Sequence, residues 1–143
     1  MNSIATSPHK SLWYAIPVLM VLSLIGLNSS VNLQLYDTYF DVSTFYVGFL
    51  SSAFLFLLGL LYWAVRKRKL IRWMTIIHVV MTTLTLVLIL TVGLIADDSS
   101  SGDYLTFQAF NQTLGIALLV TIISQLLFLL NVGLSLLQDK KEY

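Results

Sequence analysis

Phe45-Tyr46-Val47-Gly48-Phe49-Leu50-Ser51-Ser52-Ala53-Phe54-Leu55-Phe56-Leu57-Leu58-Gly59-Leu60-Leu61-Tyr62-Trp63-Ala64-Val65 holds no charged residue, and Arg66-Lys67-Arg68-Lys69 follows it directly. A bilayer core about 30 Å thick takes about 20 residues of helix, so this stretch suits one crossing. The cations that close it end the span and give it a direction. Working outward, three more apolar stretches approach the same length, at about residues 12–27, 71–95 and 112–137. The first is slightly short and contains Pro17. Residues Tyr104–Asn111 read as an interfacial turn ahead of the last. Helices are the expected form, because backbone amides in lipid must be satisfied within their own segment. The fold class is therefore all-α: a four-helix transmembrane bundle, in one membrane domain over residues 1–143.

Composition points the same way. Of 143 residues, 57% are hydrophobic and 10% charged, where an ordinary soluble domain carries about 25% charged residues. There is no cysteine, which excludes disulfides, thiolate metal sites and cysteine nucleophiles. The net charge of +1 gives no reason to expect nucleic acid. Lys10 ahead of the first apolar run is like the start of a signal peptide. The run is longer than the usual apolar region of about 7–15 residues, however, and Leu27-Asn28-Ser29-Ser30 offers no small-residue cleavage site. It is read as a retained span.

Lys and Arg fall in three places: Lys10, the 66–69 run with Arg72, and Lys140-Lys141. Four spans put all three on one side, and the positive-inside rule makes that side cytoplasmic. Both termini are expected in the cytoplasm. The opposite loops carry Asp37 and Asp41, then Asp97, Asp98 and Asp103. The basic run reads as a topology signal in preference to an anionic-lipid site. Trp13, Tyr14, Tyr62, Trp63 and Trp73, near span ends, read as interfacial anchors.

Within the spans, Gly48, Ser52 and Gly59 share a stripe that suits close helix packing. On the third span Thr75, His78, Thr82 and Thr85 share a face. His78 is the one His, Asp, Glu, Lys or Arg in an apolar core. Two readings of it stand: an imidazole bonded to Gln125, Thr121 or Ser124 of the fourth span, or a heme, quinone or proton role. One histidine cannot supply both axial ligands of a heme. Asn111, Gln112, Gln125 and Asn131 read as amides bridging helices. The lack of charge within spans weighs against ion-coupled transport. No Ser–His–Asp set, phosphate loop or metal-spaced histidine pair is readable. Asp97, Asp98 and Asp103 lack calcium-loop spacing and read as a solvated loop.

One segment carries a family likeness. Asn28-Ser29-Ser30, Leu35, Asp37-Thr38-Tyr39, Val42, Phe45 and Tyr46-Val47 resemble, with one residue deleted, a loop-and-helix segment of subunit I of the heme–copper (cytochrome c) oxidases. Gly59, Tyr62 and Trp63 then fall in step with the end of that family's helix, and Ile77-His78 with the start of its next one. The likeness covers roughly residues 27–80 and implies the same polarity as the charges. Small four-span bacterial membrane proteins with this loop look similar over their whole length. The family's two heme-binding histidines are replaced: Thr44 stands at the first, and the second falls at the deletion beside Tyr46. Tyr36 stands for the histidine that helps bind magnesium, so Asp37 remains from that pair as an incomplete metal site. Asp37, Thr38 and Tyr39 are expected to persist as an outer cap of the second span, with Asp37→Ala costing about 1 kcal/mol.

The residues together favour a non-catalytic structural or accessory membrane protein, with no cofactor of its own and no enzymatic activity. Its expected partners are membrane lipid and other membrane subunits or a second copy. The alternatives are a redox protein using His78 with ligands supplied by a partner, and a small transport or channel component.

Overall fold

The computed structural model describes residues 6–98 and 104–139. Among these residues, four helices are long and apolar enough to cross a membrane. They are α1 (Pro8–Ile25), α2 (Thr44–Ala64), α3 (Arg72–Asp98) and α4 (Tyr104–Asp139). Two boundaries differ from those expected. α1 begins at Pro8, where a missing N–H and a fixed φ suit the first helical turn. α4 runs unbroken from Tyr104, so Tyr104–Asn111 is helix, not a separate turn. That stretch contains no Gly or Pro to break it. Asp103, Lys140 and Lys141 lie outside the described residues.

α3 is the central element. It packs on α1, α2 and α4, while α1 and α2 pack along each other. Half of the most apolar window of α3 is buried, and among the described residues the backbone of α4 comes close to α3 and not to α1 or α2. α4 therefore lies on the flank of a three-helix core, along α3. Leu12, Leu19, Leu55, Leu58, Tyr62 and Leu90 are central to that core, and Phe128 of α4 joins it.

The chain is not wholly helical. Between α1 and α2 lies an antiparallel hairpin, β1 (Ser30–Leu35) and β2 (Thr38–Ser43). Its register sets Val31 opposite Val42 and Leu33 opposite Phe40. Val31 is buried against Ile89, Val92, Leu114 and Ala117, which seats the hairpin on α3 and α4. Gly93 makes this approach possible: a Cβ there would lie 2.5 Å from Val31 Cγ2. The Thr44 N–H donates to the Ser29 carbonyl at 2.9 Å and closes the hairpin base.

The two-residue turn is Tyr36-Asp37, and Tyr36 has φ 54°. That left-handed conformation ordinarily falls to Gly or Asn. The Tyr36 side chain is 97% exposed, so packing gives little in return. Tyr36→Gly should raise the stability of the purified protein by about 0.5–1 kcal/mol. A thermal-unfolding midpoint that falls instead would mean the ring holds the turn.

The expected capping role of Asp37 is not what the chain builds. The residue flanking the N-terminus of α2 is Ser43, with no side-chain cap bond. Asp37, Thr38 and Tyr39 sit at the far end of the hairpin, all exposed. Strand pairing carries them a full strand length away from α2. Asp37→Ala should then leave helix stability nearly unchanged.

Candidate functional site

The stripe on α2 faces α1. A Cβ on Gly48 would run into Ser23, and one on Gly59 into the Trp13 indole. Ser52 is buried on the same face. The Ser23 hydroxyl donates to the Phe45 carbonyl at 3.0 Å, one turn above Gly48. These small residues serve helix contact. Trp13 lies in the notch that Gly59 leaves and stacks on Phe56 at 6.2 Å between centroids. It is therefore a packing residue more than an interfacial anchor. Tyr14, Trp63 and Trp73 are exposed, and the Arg66 guanidinium sits over the Trp63 ring at 4.7 Å.

The polar face of α3 meets α4 in a continuous buried seam. Thr75, His78, Thr82, Thr85, Ser124 and Asn131 are all buried. His78 lies at its centre and is fully buried. Its Nε2 is 3.1 Å from Gln125 Oε1, and its Nδ1 is 2.8 Å from the Tyr62 hydroxyl. A carboxamide oxygen can only accept, so Nε2 carries a proton. With one proton on the ring, Nδ1 accepts from the Tyr62 O–H. The Gln125 amide nitrogen donates onward to Thr82 Oγ1 at 3.2 Å and Ser124 Oγ at 3.3 Å. Thr82 and Ser124 bond each other at 2.9 Å, and Thr85 bonds Thr121 at 2.8 Å. The Phe128 ring stacks on the imidazole at 5.2 Å and meets Tyr62 edge-on at 4.9 Å.

Two asparagines of α4 hold backbone outside the helices, and Asn131 also bridges to Thr75 of α3 as expected. Asn131 Oδ1 accepts from the Ile71 N–H at 2.8 Å, and its Nδ2 donates to the Ile71 carbonyl at 3.3 Å and to Thr75 Oγ1 at 2.9 Å. Asn111 Oδ1 likewise accepts from the Gln34 N–H at 2.8 Å, and its Nδ2 donates to the Gln34 carbonyl at 3.2 Å. Each amide pairs with a loop or strand backbone as another peptide would. Asn111→Leu should strip this partner from the hairpin edge. Amide hydrogen exchange at Gln34 should then quicken by about tenfold, for a bond worth about 1 kcal/mol or slightly more. Unchanged exchange would mean the edge is held elsewhere.

Of the residues singled out in the sequence, the structure brings His78 and Gln125 together and places Gly48, Ser52 and Gly59 against α1. Asp37 remains apart at the hairpin tip. Among the described residues, no three His, Asp or Glu side chains gather as a metal site. Tyr62 is the site residue that sequence reasoning missed. It is 1% exposed, where an interfacial ring would be open. Its spacing held the signal, since Tyr62 follows Leu55 by two turns and Leu58 by one on the inward stripe.

No family model matches the chain, and neither a curated protein nor a solved structure does.

Proposed function

We propose that the chain is a non-catalytic structural or accessory component of a membrane complex, related to oxidase subunit I. It lies in the bacterial inner membrane with both termini cytoplasmic. The observation that carries this reading is the occupation of both His78 ring nitrogens by partners within the chain. A heme iron or metal needs a free nitrogen lone pair. Here Nδ1 faces Tyr62, Nε2 faces Gln125, and Phe128 covers the ring. The seam is therefore built to hold helices together. The flank of α4 supports an accessory role, since Ile116, Leu119, Ile122, Ile123, Leu126 and Leu130 are exposed along it. Such a face suits lipid or another apolar subunit.

Purification from its own membrane in mild detergent tests the reading. The expected result is a preparation with no Soret absorption that brings oxidase subunits with it in fixed ratio. A stoichiometric Soret band would sink the proposal in favour of the redox alternative. Ion or solute flux in liposomes would sink it in favour of transport. A reporter fused to the C-terminus and found outside the cell would reverse the assigned orientation.

A further inference from the structure

At the end of the molecule where α2 gives way to α3, the basic residues do not simply splay into solvent. A cavity of about 380 Å³ opens there, lined by His9, Tyr62, Arg66, Arg68, Lys69 and Arg72 among others. Three elements supply them: the start of α1, the end of α2 with the loop after it, and the start of α3. Among the described residues, no Asp or Glu lines the cavity. Concentrated positive charge around a concave site favours an anion with several acceptor oxygens, and guanidinium groups match phosphate geometry.

A second cavity, of about 330 Å³, lies further along the same helices. It is lined by Ser11 of α1 and by Val79, Val80, Thr83, Leu84 and Val87 of α3. Helical phase relates the two. At about 100° per residue, Arg72 falls within about 20° of Val79 and Thr83 around α3. From Val79 to Val87 the groove follows the helix for about 12 Å, and its upper end is about 10 Å from Arg72. A basic cleft at the membrane rim thus stands above an apolar groove on one helix face. One kind of molecule has this polarity over this length.

We propose that these two cavities together hold one anionic phospholipid, its phosphate in the basic cleft and an acyl chain in the α1/α3 groove. The basic run is then a ligand site as well as a topology signal. The proposal does not depend on the accessory role above.

Native mass spectrometry of the full chain, released from phosphatidylcholine bilayers containing a minor fraction of phosphatidylglycerol, tests it. Retained phosphatidylglycerol is expected to exceed its share of the bilayer. Arg66→Gln and Arg72→Gln should each reduce that retention about fivefold, as for a surface cation worth about 1 kcal/mol. Lys67→Gln removes an equal charge from a residue that does not line the cleft, and should change little. Thr83→Trp fills the groove while leaving every cation in place, and should also reduce retention. Val87→Phe repeats that test at the groove's far end. Equal enrichment of both lipids would overturn the proposal. So would a Lys67→Gln loss as large as that of Arg66→Gln, which denotes a diffuse field. If inorganic phosphate displaces the lipid and both groove variants retain it fully, the cleft takes free phosphate and the lipid assignment fails.

Discussion

Replacing Gln125 with Leu should lower the unfolding free energy of the detergent-solubilised chain by about 2 kcal/mol. The substitution keeps the bulk of the side chain and removes its amide. His78 Nε2–H then points at a methyl group, between α3 and α4, with no other acceptor for it among the described residues. Thr82 and Ser124 lose a donor but keep each other at 2.9 Å. The loss is therefore concentrated on the imidazole. A buried donor left without a partner costs about 1–3 kcal/mol, more than the net value of a typical bond. This asymmetry gives the sharper test. In a Tyr62→Phe background, which leaves no hydroxyl stranded where it met Nδ1, His78→Phe combined with Gln125→Leu removes both members and leaves an apolar contact beside Phe128. In that background the double variant should be more stable than Gln125→Leu alone. Additive losses in the double-mutant cycle would show that the two side chains act independently. Thermal unfolding in one detergent, followed by helical circular dichroism, is sufficient to measure it.

Gly48→Leu should destabilise the chain by about 3 kcal/mol, the upper range for overpacking a close contact. The first carbon of the new side chain would collide with Ser23 Cβ and lie 3.3 Å from Ser23 Cα. Backbone cannot rotate away, so α1 and α2 must separate along their shared face. They would also lose the Ser23–Phe45 bond at 3.0 Å. Gly59→Leu meets the Trp13 ring instead, and a side chain can swing aside. Its cost should be smaller than that of Gly48→Leu. Gly115 provides the internal control. Nothing lies within 4 Å of a Cβ built there, so Gly115→Ala should be neutral or slightly stabilising through helix propensity. Equal losses at Gly48 and Gly115 would remove the packing explanation.

The four spans were legible because a bilayer crossing leaves a long, simple mark: apolar runs of the right length with cations at their ends. The hairpin was not, although Ser30–Leu35 alternates Val31, Leu33 and Leu35 with Asn32 and Gln34. That period of two is the strand signal. It was masked because the turn, Tyr36-Asp37, lacks the Gly that announces a two-residue hairpin. The short polar groups of Asp37 and Thr38 also suit a helix cap as well as a turn. At the site, His78 and its amide partner could be found from their shared depth and polar character. Tyr62 could not be separated from Trp63 by type alone, since both are aromatic and both lie at a span end. One points into the core and the other out, and only the helical phase distinguishes them. The peptide-like pairing of Asn111 and Asn131 had no sequence signal, because it depends on where two distant backbones pass.

Those two asparagines have a consequence for the surrounding lipid. They are about 20 residues apart on one unbroken helix, hence about 30 Å apart. One clamps the strand between α1 and α2, and the other clamps the loop between α2 and α3. The separation of the two rims is thereby set by a covalent helix and cannot relax by sliding of the segments. A thinner or thicker bilayer must deform to meet the protein. Each Å by which the bilayer departs from that spacing costs a fraction of a kcal/mol, borne by tilt of the helices or by the lipid.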